Sequence, residues 1–185
     1  RPAPLSVLRE AAEMDRHLEH QPWILDDPAA TLADIVRRGR GRIGSTLVAH
    51  VDRETRALMV VRRLRTPEPR FTSGSDHWGQ VLSPNRDLSD LLGGLAHEMV
   101  PPRVRTDAGW SPIVADLFTV VCSDGYVVDT AVEWQFVYAW RYSAMMSACS
   151  DGDVYVVTPN GWTGIMDRRS GLTPTVSGRA PLRAL

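Results

Sequence analysis

Apolar and polar positions along this chain follow two periods, and each change of period marks an element. Leu8, Ala11, Ala12 and Leu18 fall on one face of a helix expected over residues 6–20. A second helix is expected after Asp27, a natural N-cap, with Pro28 at its first position and Leu32, Ile35 and Val36 facing inward. Arg37 and Arg38 suit the negative end of its dipole, and Gly39 is read as its stop. Two β-rich runs, 47–51 and 57–61, then read as a hairpin around the polar turn 52–55. Residues 66–85 are rich in Pro, Gly and Ser and show no period, as in a functional or mobile loop.

The third helix is the best marked. Asp87 reads as its cap with Asp90 in capping-box position, and Leu88, Leu91, Leu92, Leu95 and Met99 make its apolar stripe. Gly93 and Gly94 in its middle suggest close approach to another backbone, and Pro101-Pro102 ends it. Residues 113–122 read as a strand, Asp124-Gly125 as a tight turn and 126–128 as the return strand. Over 131–148 the signals compete. Trp134, Phe136, Tyr138, Trp140 and Tyr142 alternate as in a strand, whereas Thr130 to Glu133 form a capping box and Asp151-Gly152 offers a helix stop. The length of the run favours a helix, buried centrally because it is apolar all round. A strand over 153–158, a turn at Pro159-Asn160-Gly161 and a return over 162–166 follow.

These elements predict an α+β fold: an antiparallel-rich sheet of about six strands with N-terminal helices and one or two helices packed on it. Residues 1–170 form one domain in this reading, and 171–185 a loosely ordered tail. The chain's 185 residues suffice for a core without a disulfide or metal staple. Its longest apolar runs are strand-sized, so no membrane association is expected, and the segment after Arg1-Pro2-Ala3-Pro4 does not resemble a signal peptide. A cytoplasmic location is the expectation, in keeping with Cys122 and Cys149 reading as small buried hydrophobes without metal-ligand spacing.

All 21 basic residues are arginine. Without lysine there is no P-loop, no pyridoxal Schiff base and no serine–lysine nucleophile. Charge is unevenly placed: residues 35–70 hold ten arginines against Asp52, Glu54 and Glu68, whereas residues 107–155 hold Arg141 against seven carboxylates. The two regions either neutralise each other or make the molecule a dipole.

Candidate chemistry is sparse. His97-Glu98 lacks the second histidine of a zinc-protease helix, since Pro101 occupies that position. His17, His20 and Glu13 make at most half a metal site, so neither metal nor cofactor is expected. A polar cleft is sought at Asp76 and His77, near Ser73 and Ser75, and at Glu133 and Arg141, the only charges in their apolar run. Arg37, Arg38, Arg40 and Arg42, with Arg62, Arg63 and Arg65, are candidates for phosphate contact. Trp78, Trp110 and Trp162 each adjoin a glycine in an expected loop or turn, and suit anchors of a protein or self-association surface.

The sequence therefore favours a non-catalytic binding or regulatory module acting through a protein interface. An enzyme with a cleft around His77 and Glu133, and a nucleic-acid binder through residues 37–65, are the alternatives. On this reading the melting temperature is unchanged by reductant or EDTA. A large loss in either, or stoichiometric zinc by elemental analysis, would contradict it.

Overall fold

The computed structural model describes residues 23–65, 86–125, 127, 131–143 and 146–178. The helix expected over 6–20 and the loop expected over 66–85 lie outside these, as do His17, His20, Asp76, His77 and Trp78. The fold is α+β. Helix α1 (Pro28–Gly39) precedes strands β1 (Ser45–Asp52) and β2 (Leu58–Leu64), followed by α2 (Arg86–Met99). A two-stranded ribbon, β3 (Arg105–Thr106) and β4 (Gly109–Trp110), leads to β5 (Ala115–Cys122) and α3 (Ala131–Tyr142). Strands β6 (Cys149–Thr158), β7 (Gly161–Gly164) and β8 (Ser170–Gly171) complete the order.

The six-stranded sheet runs β2-β1-β5-β6-β7-β8. It is mixed, which corrects the antiparallel-rich expectation: β5 and β6 pair in parallel at its centre. Both edges of β5 are occupied, by β1 from Ser45↔Cys122 to Asp52↔Ala115 and by β6 from Ala115↔Cys149 to Cys122↔Val157. Of the return strand expected at 126–128, Val127 lies in a bend, and Tyr126 and Val128 lie outside the described residues. Parallel neighbours require a crossover rather than a tight turn, and α3 lies on that crossover.

The sheet is covered on both faces, so strand alternation sorts side chains into two cores. Leu47, Ala49, Val51, Phe118, Val120, Tyr155 and Val157 pack with Leu32 and Ile35 of α1. Val48, Leu117, Val121, Val154 and Val156 pack with α2 and α3. Every residue of β5 is buried, as expected for a strand enclosed on two faces. Cys122 and Cys149 are buried free thiols, and burial pushes Cys149 up to about 11.

Helix α1 begins as its sequence indicates: the Asp27 carboxylate accepts the Ala30 N–H at 3.0 Å, with Pro28 following. Its stop differs. Arg40 takes the left-handed conformation (φ 50°, ψ 48°), not Gly39. Gly39 is required by packing, since a Cβ there would lie 2.7 Å from a Leu47 methyl and 2.9 Å from Val61.

Helix α2 starts at Arg86, which puts Asp87 inside its first turn rather than at its cap. Leu88, Leu92 and Ala96 are buried, with Ser89 and Gly93 beside them, while Leu91, Leu95 and Met99 lie partly buried along the same core. The mid-helix glycines do not mark a close backbone approach. A Cβ on Gly93 would meet only the Ser143 Cβ at 3.8 Å, and one on Gly94 would meet nothing.

Helix α3 ends at Tyr142, six residues before the expected 148, because the chain from Cys149 is drawn into the sheet beside β5. It is buried on one face, through Glu133, Phe136, Val137 and Trp140, and exposed at Arg141 and Tyr142. Trp140 donates its indole N–H to the Thr119 hydroxyl at 2.7 Å. The stretch read as a tail is bonded to β6 through Val176 N–H to Thr158 O (3.1 Å) and to the connection between α1 and β1 through Ile43 N–H to Gly178 O (3.0 Å).

Two substitutions in α2 test this packing in opposite directions. Leu92 is 0% exposed, and Leu92→Ala should lower unfolding free energy by about 2–5 kcal/mol. Gly94→Ala adds a helix former where nothing obstructs it, and should raise stability by about 1 kcal/mol. Urea denaturation reads both; an unchanged Leu92→Ala would remove α2 from the core, and a destabilised Gly94→Ala would show that the position is crowded.

Candidate functional site

Asp151-Gly152-Asp153 lies inside β6, not at a helix stop. Between the pairs Leu117↔Asp151 and Thr119↔Val154, Phe118 alone opposes both Gly152 and Asp153. This is a β-bulge, a device that re-aims side chains. Glycine is needed there because a Cβ would fall 2.6 Å from the Phe118 ring. Within the bulge, the Asp153 N–H bonds the Trp23 carbonyl at 2.8 Å, which fixes Trp23 against the strand.

Beside the bulge opens a cleft of roughly 250 Å³. Trp23, Val137, Trp140, Arg141, Asp151, Gly152, Asp153 and Met166 line it. Its apolar surface comes from the last turns of α3 and from Trp23 and Met166, and its charges from Arg141, Asp151 and Asp153.

These charges differ in their engagement. Asp153 is 2% exposed and held by backbone: one oxygen accepts from Val154 (2.7 Å) and Met166 (2.9 Å), the other from Asp167 (3.0 Å). Burial pushes its carboxyl up to about 6, the N–H groups of Asp167 and Met166 oppose that rise, and the Asp167 charge adds to it. Asp167 is neutralised by Arg169 (3.0 Å) and accepts the Tyr155 hydroxyl at 2.6 Å. Burial, with Asp167 second, raises the Tyr155 phenol well above its usual range. By contrast, no hydrogen bond or ion pair engages the Arg141 or Asp151 side chains among the described residues, with each other or with a third group.

A second polar cluster lies deeper. Asp116 is 0% exposed and receives Arg53 (2.5 Å), Arg56 (3.0 Å) and the Ser150 hydroxyl (2.7 Å). Arg56 also bonds the Ile24 carbonyl and Asp26 (3.3 Å), which ties the β1–β2 turn to the segment before α1. Here two arginines of the basic region, Arg53 and Arg56, meet one carboxylate of the acidic region, Asp116. His50 on β1 keeps a buried Nδ1 with no partner among the described residues, and burial lowers its pKa.

The structure distributes the sequence candidates widely. Arg141 lines the cleft, but Glu133 is buried in α3 and is not among the lining residues. Trp162 is a core residue, 4% exposed, with its indole N–H on the Thr173 carbonyl at 2.6 Å. The anchor role expected of it is thereby corrected: glycine at 171 lets this ring pack beneath the chain. Trp110 is 51% exposed on β4, with the Arg103 guanidinium 5.6 Å from its ring centre.

The arginines do not converge. Arg37 and Arg38 pair with Asp34, and Arg63 bonds the carbonyls of Gly39 and Arg40. Arg62 alternates to the opposite face from Arg63, and Arg40, Arg42 and Arg65 are exposed. His97 is exposed at the end of α2, with Nδ1 2.9 Å from the Ser147 hydroxyl. Sequence reasoning missed Trp23, Asp151, Asp153 and Met166. A glycine between two aspartates ahead of a Val-rich run was the available signal for a bulge.

No family model, curated protein or solved structure matches the chain. Among the described residues no helix is long and apolar enough to cross a membrane, and no cluster of three His, Cys, Asp or Glu is placed to hold a metal.

The raised Asp153 carboxyl sets a pH dependence of stability. Its folded pKa exceeds the unfolded value, so its stabilising contribution is full below about 4 and lost as pH rises through about 6. A shift of this size corresponds to the order of 3 kcal/mol. The stability of the native protein relative to Asp153→Asn, measured by denaturant unfolding, should rise as pH falls from 7 to 4. A flat difference would mean that Asp153 titrates normally.

Proposed function

We propose that the protein is a non-catalytic binding module whose ligand occupies the cleft beside the β6 bulge. One observation carries the reading: Arg141 and Asp151 line the same partly apolar cleft, and neither has a partner among the described residues. The neighbouring groups capable of chemistry, Asp116, Ser150, Asp153, Tyr155 and Asp167, are engaged in internal bonds. The cleft lies at the start of β6, not at the carboxyl ends of the parallel strands, where α/β folds place their cofactors. Its roughly 250 Å³ is at the small end of ligand sites, the size of one side chain or one small metabolite.

A second reading follows from Trp110. An exposed tryptophan stacked by arginine, with Val104 and Met146 also more than half exposed, is suited to a protein contact or to self-association. The enzyme reading finds support only in the Asp153 carboxyl at about 6, within the range of a general acid.

Mapping of amide shifts during a fragment screen separates the three. Binding in the cleft should move residues 23, 137–141, 151–153 and 166, with every fragment recovered unchanged. Shifts confined to 103–111 would favour the Trp110 surface, and chemical conversion of a fragment would favour catalysis; either would overturn the proposal.

A further inference from the structure

Opposite charges that line one small cleft normally pair when they can reach each other. Arg141, after the final buried turn of α3, and Asp151, before the bulge, do not. What lies with them is apolar: Val137, Trp140, Trp23 and Met166. Trp140 cannot swing in to separate them or fill the space, because its indole N–H is fixed to Thr119 and its side chain is 1% exposed. The backbone of Trp23 is anchored to the bulge through its carbonyl, which accepts the Asp153 N–H.

The geometry points to a small amphoteric ligand, with one anionic and one cationic group on an apolar body the size of a single amino acid. The guanidinium of Arg141 takes the anionic group, and a carboxylate is well matched to its planar donors. The carboxylate of Asp151 takes the cationic group. The apolar body lies against the indoles and Met166, where burial of its surface adds affinity. A purely cationic ligand would face Arg141 with like charge, and a purely anionic ligand would face Asp151 in the same way. The roughly 250 Å³ of the cleft holds a body of about one amino acid and not a whole dinucleotide. Asp153 contributes no direct contact, since its oxygens are taken by three backbone donors.

This inference rests on the cleft being the binding site, and the experiment separates the two. Calorimetry on the full chain at neutral pH would compare L-phenylalanine, 2-phenylethylamine and 3-phenylpropanoate. These probes share a ring and differ in charged groups. The zwitterion should bind about tenfold more tightly than either singly charged analogue. Arg141→Gln should weaken phenylalanine about tenfold and leave the amine bound as tightly or more tightly, since the variant removes a like charge. Asp151→Asn should weaken phenylalanine similarly and leave the propanoate bound as tightly or more tightly, for the same reason. Both side chains lie at the surface of the cleft, and thermal melting of each variant verifies that the fold is kept. Equal affinities for the three probes, or a loss in either variant that ignores the probe's charge, would overturn the amphoteric ligand. Absence of binding by all three while other fragments still map to the cleft would overturn it too, leaving the cleft itself in place. Fragments that map elsewhere would remove both.

Discussion

Strand β5 is the constraint on which the rest of the molecule depends. It is paired along both edges and covered on both faces, so each of its eight residues is buried. A backbone so enclosed satisfies its N–H and C=O groups only if both neighbours hold register over its full length. The antiparallel neighbour comes from the chain before it, and the parallel neighbour from beyond a helical crossover. That demand ends α3 at Tyr142 and recruits 149–158 into the sheet. One buried charge, Asp116, sits within β5, and two arginines from the β1–β2 turn offset its desolvation.

The cleft follows from a flaw in the same pairing. Where β6 carries one residue more than β5, Gly152 of the bulge lies close against the Phe118 ring, and the space beside the bulge is bounded by the last turns of α3. Asp153, in the bulge, accepts the N–H of Val154 beside it and those of Met166 and Asp167 from the turn after β7. A buried carboxylate so held, without a cation, remains near the point of protonation at neutral pH. Asp153 thus builds the wall of the cleft, while Arg141 and Asp151 are left available to a ligand.

Local signals in the sequence were reliable where a residue has one physical use. Asp27-Pro28 opens a helix as written, and the 45–64 hairpin keeps its turn at Asp52. Glycine was misleading because it serves two ends. Gly39 reads as a helix stop and Asp151-Gly152 as another, yet both glycines are present for close approach, to Leu47 and to Phe118. The run 131–148 reads as a helix despite its alternating aromatics, but as one buried all round. Helix α3 instead has a buried face of Glu133, Phe136, Val137 and Trp140, and its end at Arg141 and Tyr142 is exposed. The parallel pairing was not legible locally, since nothing in residues 115–122 specifies which later segment occupies their second edge. Arg141 was found as an isolated charge in an apolar run, but its partners in the cleft come from three distant segments that only the tertiary fold unites.

The central claim is that this cleft, rather than an exposed tryptophan or an arginine face, is where the protein meets its ligand. Isotope-filtered NMR on the protein with bound phenylalanine tests it most directly. The account predicts contacts from the ligand ring to Trp23, Val137 and Met166. Contacts to Trp110, or to the side chains of Arg40 and Arg42, would contradict it.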